Sequence, residues 1–230
     1  MKETIYGRNS VYELLRANLP GATDATLNRA AVAGLVSQFP GKVVWVGGAA
    51  DGTALMSGET RLSQAGIIES NVAYLRVSRV AAGLAGELAA TGRMLTASNK
   101  IAGAVLDLRY AGGEDYGAAE EAAGLLAGKK ASRPFAGPQV ILVNRGTHGA
   151  AETLAAAFRA AGAGLILGSP TAGEAMTFKE FILKDGERLL IATTPVELEG
   201  KTVPPDGLKP DIAIPGNADD ERAFWQTPYS

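Results

Sequence analysis

The chain has 230 residues, with 22 Lys and Arg against 24 Asp and Glu, one His and no Cys. A formal net charge of −2 gives no electrostatic reason to expect a nucleic acid or an anionic membrane as partner. The missing Cys excludes disulfides, thiolate nucleophiles and Cys-ligated zinc or iron–sulfur clusters, and the lone His148 excludes any site that needs two imidazoles. Carboxylate, hydroxyl and lysine chemistry remain, and no cofactor or metal is expected. The apolar fraction of 47% is that of an ordinary globular chain, long enough for one large domain or two small ones.

Residues from Ser10 to Phe39 read as helical. Val11, Leu14 and Leu15 form one amphipathic set closed by Pro20, and Thr23 or Asp24 caps a second helix. Lys42–Gly48 is a short strand ending in glycines. Residues 49–70 are polar and Gly-rich, a loop with room for one hairpin. Then the texture changes. Strands at Val72–Ser78, Ala104–Arg109, Gln139–Asn144 and Gly164–Gly168 alternate with helices at Val80–Leu95, Tyr116–Leu126 and Ala150–Ala161. Ala104–Arg109 is apolar at nearly every position, as in a strand covered on both faces. This rhythm predicts an α/β fold with a mainly parallel sheet and right-handed crossovers. Phe178–Leu198 alternates around Asp185-Gly186 and predicts a C-terminal β-hairpin. Residues Pro210–Pro215 add a last short strand.

No apolar run approaches the roughly 20 residues of a membrane span, and the N-terminus lacks the apolar stretch of a signal peptide. The expected organisation is a helical segment with the first strand over 1–48, a short connector over 49–71, an α/β core over 72–216 and a tail over 217–230.

In an open parallel sheet, sites form where strands run into helices. Three such junctions stand out. Asp107–Gly117 carries Gly112-Gly113, whose backbone N–H groups can face a cleft. Val143–Glu152 runs from strand to turn to helix, where nucleophiles and oxyanion donors sit. Gly168–Phe178 is the third.

The order of these pieces resembles the core of the C-terminal processing (tail-specific) serine peptidases, similar in fold to the Clp protease and crotonase group. The resemblance runs from about Val11 to Ile214. It rests on DLRYAGG, VNRGTHGAAE, GSPTAGEAMTF and the Gly207–Ile214 ending GLKPDIAI. It implies a spiral-like core and an exported, periplasmic or cell-envelope setting in bacteria. It also implies a Ser nucleophile, a Lys general base and a supporting Gln. The matched positions hold Gly149, Glu174 and Phe178 instead. Glycine carries no nucleophile, and Glu cannot serve as the base of Ser–Lys chemistry. The peptide-binding PDZ domain of many members has no counterpart either, since residues 49–71 are too few for a domain.

The leading expectation is therefore a non-catalytic relative that binds a peptide, a small ligand or a partner protein around Gly112, Gly113, Thr147, His148, Gly149 and Glu174. The alternative is a hydrolase with a site rebuilt from Thr147, His148, Glu152 and Glu174, in which His148 and Glu174 pair. Adjacent residues at a strand end diverge, which makes a direct Thr147–His148 dyad awkward. A third reading is an assembly role as a homo-oligomer through the hairpin or the helical faces. The blander readings are that Glu152 complements the helix dipole and that Asp107 pairs with Arg109.

Overall fold

The computed structural model describes residues 8–39, 41–46, 61–128, 133–183, 187–198, 201–217, 221–223 and 225. The chain divides into two compact units: Met1–Gly52 with Phe178–Thr193, and Thr53–Thr177 with Thr194–Ser230.

In the smaller unit, α1 (Arg8–Asn18) and α2 (Asp24–Val36) precede β1 (Val43–Val46). The Thr23 hydroxyl caps α2 by accepting from the Thr26 N–H at 3.2 Å. β7 (Met176–Ile182) and β8 (Arg188–Pro195) continue a three-stranded sheet in the order β1-β8-β7. β1 runs antiparallel to β8, with Val43 opposite Ile191. That pairing puts the expected C-terminal hairpin with the N-terminal helices rather than with the α/β core. Its turn residues, Asp185 and Gly186, lie outside the described residues.

The larger unit is built on a six-stranded sheet in the order β11-β6-β5-β4-β3-β2. Its members are β2 (Leu62–Ile68), β3 (Val72–Val77), β4 (Gly103–Asp107), β5 (Gln139–Val143), β6 (Leu165–Gly168) and β11 (Ile212–Ala213). All neighbours are parallel except β2, which is antiparallel to β3. The second half of the expected connector is thus an edge strand of the core sheet. Its sequence LSQAGII hides this, because Gln and Gly break the apolar alternation. Two short strands, β9 (Glu197–Leu198) and β10 (Lys201–Thr202), form a separate antiparallel pair.

The helices are α3 (Leu84–Ala97), α4 (Tyr116–Leu126) and α5 (Ala150–Ala160). β3 through β6 are sequential neighbours stepping in one direction, so right-handed crossovers place all three helices on one face. Ala73, Leu75 and Val77 of β3 pack there with Leu84, Leu88, Ala122, Leu154 and Phe158. The opposite face carries Val105, Val140, Leu142 and Leu167 half-buried and Leu165 and Ile212 exposed. None of α3 to α5 covers it, and the helical tail residues 221–223 and 225 meet it only at the Arg76 and Arg109 end. The sequence predicts a strand covered on both faces at Ala104–Arg109, and on this face Val105 is half-buried and Asp107 fully buried. No helix among the described residues is long and apolar enough to cross a membrane.

Candidate functional site

The turn between β5 and α5 is held by side chains that bond their own backbone. The Asn144 Oδ1 accepts from the N–H groups of Tyr110 at 3.1 Å and Gly146 at 2.9 Å. The fully buried Thr147 hydroxyl donates to the Leu108 carbonyl at 2.8 Å and accepts from the Asn144 N–H at 3.0 Å. Both of its bonding directions hold the turn, and none faces solvent. His148 is exposed, with Nδ1 2.9 Å from the Gly146 carbonyl oxygen. Its ring lies against Gly112, where a Cβ would collide with Nε2.

Gly149 caps α5 at φ 58° and ψ −125°, a conformation that disfavours a side chain. A Cβ there would collide with the Gly113 carbonyl oxygen. That oxygen accepts from the Ala150 N–H at 2.8 Å, and the His148 N–H donates to the Ala111 carbonyl at 3.0 Å. The helix-start donor that would face an oxyanion is thus taken by the chain itself. Gly113 is wedged in turn: at φ 141°, its Cβ position is occupied by the Val80 carbonyl oxygen.

Glu152 ties the third junction to this elbow. It is 0% exposed. Its Oε1 accepts from the Thr171 hydroxyl at 2.5 Å and the Gly173 N–H at 2.7 Å. Its Oε2 accepts from the N–H groups of Gly149 at 3.1 Å and Glu174 at 2.7 Å. Thr171 also accepts from the Leu208 N–H at 2.7 Å, and the Ala172 N–H donates to the Thr147 carbonyl at 3.0 Å. Glu152 is therefore a buried staple, more than a carboxylate favoured by the helix dipole.

The structure brings Gly112, Gly113, Thr147, His148, Gly149, Glu152 and the Glu174 backbone together. The His148–Glu174 side-chain pair expected for a rebuilt site is absent among the described residues: neither side chain bonds the other. Phe178 is exposed on β7 in the smaller unit. Near the elbow, the Tyr116 hydroxyl donates to the Met176 carbonyl at 2.6 Å, and burial raises its pKa above the ordinary phenol value. No group of three or more His, Asp or Glu side chains converges as metal ligands would among the described residues.

Residues 126–214 match the sequence model of peptidase family S41. The photosystem II D1 C-terminal processing protease superposes with a TM-score of 0.53 at 25% identity, covering 62% of this chain and 42% of that one. A protein from Bacteroides fragilis classed as an S41 protease gives 0.55 at 20% identity, covering 73% and 54%. A lipoprotein from Streptococcus agalactiae gives 0.50 at 15%, covering 71% and 69%. The core has the S41 peptidase fold. The chain spans less than half of the processing protease it resembles. No curated protein sequence matches it significantly.

On the sheet face opposite α3 to α5 of this S41-type core lies a polar cluster that the sequence shows only in part. Asp107, 0% exposed, accepts from the Arg109 N–H at 3.0 Å, Arg109 Nε at 2.9 Å, Arg109 Nη2 at 2.6 Å and the Tyr74 hydroxyl at 2.5 Å. Arg76 Nε donates to the Tyr74 oxygen at 3.1 Å and Arg76 Nη1 to the Trp225 carbonyl at 2.9 Å. The Arg76 guanidinium lies 5.0 Å from the Trp225 ring, which meets Tyr110 edge-on at 5.3 Å. Burial, then the Asp107 hydrogen bond, pushes the Tyr74 pKa up to about 12. Burial alone would lower Arg109, but Asp107 outweighs it and moves the guanidinium upward. The Asp107–Arg109 pairing was legible; the partners contributed by Tyr74, Arg76 and the tail were not. Asn144 had a usable signal, because Asn two residues before Gly favours a side-chain-closed turn.

Proposed function

We propose that this chain is a non-catalytic relative of the S41 peptidases. It binds a peptide or a partner protein at the surface around Gly112, His148 and Glu174 without cutting it. One observation carries the reading: the position matched to the family's serine is Gly149, and the space a side chain would need there is filled by the Gly113 carbonyl oxygen. Glu174 at the lysine position and Phe178 at the glutamine position support it, because neither supplies the base that Ser–Lys chemistry needs. His148 and Glu174 still present an imidazole and a carboxylate to solvent, enough to bond an incoming chain.

The test pairs a chemical probe with a turnover assay. The protein is incubated with a biotinylated fluorophosphonate and with a fluorogenic peptide library. Neither labelling nor turnover above a heat-denatured control is expected. Labelling that His148→Ala abolishes would establish an active hydrolase and overturn the proposal.

A further inference from the structure

Tyr110 holds a backbone conformation that side chains rarely adopt. The Ala111 N–H closes a turn onto the Leu108 carbonyl at 3.0 Å, and Tyr110 stands at the third position of that turn with φ 61°. Gly or Asn is usual there, because a larger side chain is crowded at positive φ. Such a residue keeps its conformation only where its surroundings impose it. Two neighbours do so here. On one side, the Asn144 Oδ1 accepts from the Tyr110 N–H at 3.1 Å. On the other, the tail grips the ring: Trp225 meets it edge-on at 5.3 Å, and the Arg222 guanidinium lies 5.9 Å from its centre. The tail is itself anchored, by the Arg76 Nη1 bond to the Trp225 carbonyl at 2.9 Å and by the Glu221–Arg109 ion pair at 3.8 Å.

The same tyrosine touches the elbow. Its ring lies against Gly146, where a Cβ would collide with Cδ1. The Asn144 Oδ1 that holds the Tyr110 N–H also accepts from the Gly146 N–H at 2.9 Å. The Gly146 carbonyl oxygen lies 2.9 Å from His148 Nδ1. A continuous chain of contacts thus runs from Trp225 through Tyr110 and Gly146 to His148. We propose that the tail residues 221–223 and 225 act as a strap that latches Tyr110 and thereby sets the position of His148 in the elbow. Docked, the strap keeps Tyr110 at positive φ with its ring against Gly146. Released, Tyr110 relaxes to negative φ, its ring leaves Gly146 and the imidazole moves. The strap is poised for release, since Arg76 Nη2 and Trp225 Nε1 are buried in the docked state with no hydrogen-bond partner among the described residues. Unmade bonds of this kind weaken the docked state. Coupling is reciprocal, so whatever moves His148 also alters how firmly the strap docks. Regulation of the elbow as a binding surface rests on the proposed function; the latch itself does not.

With a single histidine in the chain, one imidazole signal reports on the elbow. The folded protein, carrying isotope-labelled histidine, is compared with its variants by heteronuclear NMR at fixed pH. Trp225→Ala is expected to move the His148 signal from its wild-type position. It should also speed exchange of the Gly146 amide proton about tenfold more than that of the buried Ile141, as local release requires. Tyr110→Gly should move the signal too, since glycine accepts positive φ but offers no ring for the strap to grip. Adding Trp225→Ala in that background should cause no further movement, because the route through the ring is already cut. Circular dichroism confirms the fold of each variant, and Trp225→Leu takes the place of Trp225→Ala if the latter does not fold. A His148 signal unmoved by the strap variant, one moved as far in the Tyr110→Gly background as in the wild type, or equal acceleration of the Gly146 and Ile141 amides would each overturn the proposal. No readout uses a substrate, so fluorophosphonate labelling would remove the non-catalytic reading and leave the latch standing.

Discussion

Glu152 and Asp107 are both 0% exposed, and each accepts four hydrogen bonds, yet they do opposite work. The donors to Glu152 are neutral: three backbone N–H groups and one hydroxyl, drawn from two loops that meet at the start of α5. Asp107 is served chiefly by a guanidinium, with a second 3.8 Å away. Neutral donors saturate a carboxylate and close a loop into a rigid unit. Cationic donors tie a carboxylate into a charged network that reaches other elements. The elbow is therefore closed by neutral donors and the Asp107 cluster by charged ones, although burial and hydrogen-bond counts make them look alike.

Removing each charge in turn separates the two cases. Asp107→Asn removes the buried carboxylate that faces two guanidinium groups and is expected to cost about 4 kcal/mol in urea-unfolding free energy. Glu152→Gln turns an amide N–H₂ toward backbone donors and is expected to cost about 2.5 kcal/mol. A reversed order would erase the distinction between neutral and cationic partners. Gly149→Ser must adopt a positive φ and displace the Gly113 carbonyl, a loss of about 2 kcal/mol. Combining it with Glu174→Lys and Phe178→Gln should still give no fluorophosphonate labelling.

Smaller effects follow. Tyr74→Phe removes one donor to Asp107 and is expected to cost about 1 kcal/mol. The same residue gives the cluster an alkaline limb. Its folded pKa of about 12 exceeds the ordinary phenol value of 10.0, so the unfolded chain ionises first. That contribution is fully present below pH 10 and fades as the pH rises toward 12, and Tyr74→Phe should flatten the fall. His148→Ala, at an exposed position bonded only to its own turn, should change stability by less than about 0.5 kcal/mol.

The core was readable in the sequence where periodicity and punctuation agreed. Strand–helix alternation from Val72 to Gly168 follows from buried apolar strands and small-residue helices, and it translated directly into the parallel sheet. β2 was missed because Gln64 and Gly66 interrupt the alternation that marks a strand. Apolar strands announce burial on both faces without saying which elements supply it. At the elbow, the family resemblance puts Gly149 where a nucleophile is expected. It cannot show that Gly113 fills the vacated space, because that contact joins residues far apart in the chain. Glu152 reads as a helix-start carboxylate for the same reason: its donors at Thr171, Gly173 and Glu174 have no local signature. Thr147 looked available because its hydroxyl type was visible and its partners were not.

The wedged glycines also constrain the order in which this chain could change. A side chain at 149 needs Gly113 to retreat, and Gly113 is itself pressed against the Val80 carbonyl. Neither accommodation is local to a single residue, so a serine introduced first meets a steric penalty before any base or acceptor could reward it. The productive sequence runs backward from the support: loosen the Val80–Gly113 contact, free the Ala150 N–H, and only then place the hydroxyl. In mutational space the elbow acts as a ratchet, with each intermediate on the direct route less stable than the protein it started from.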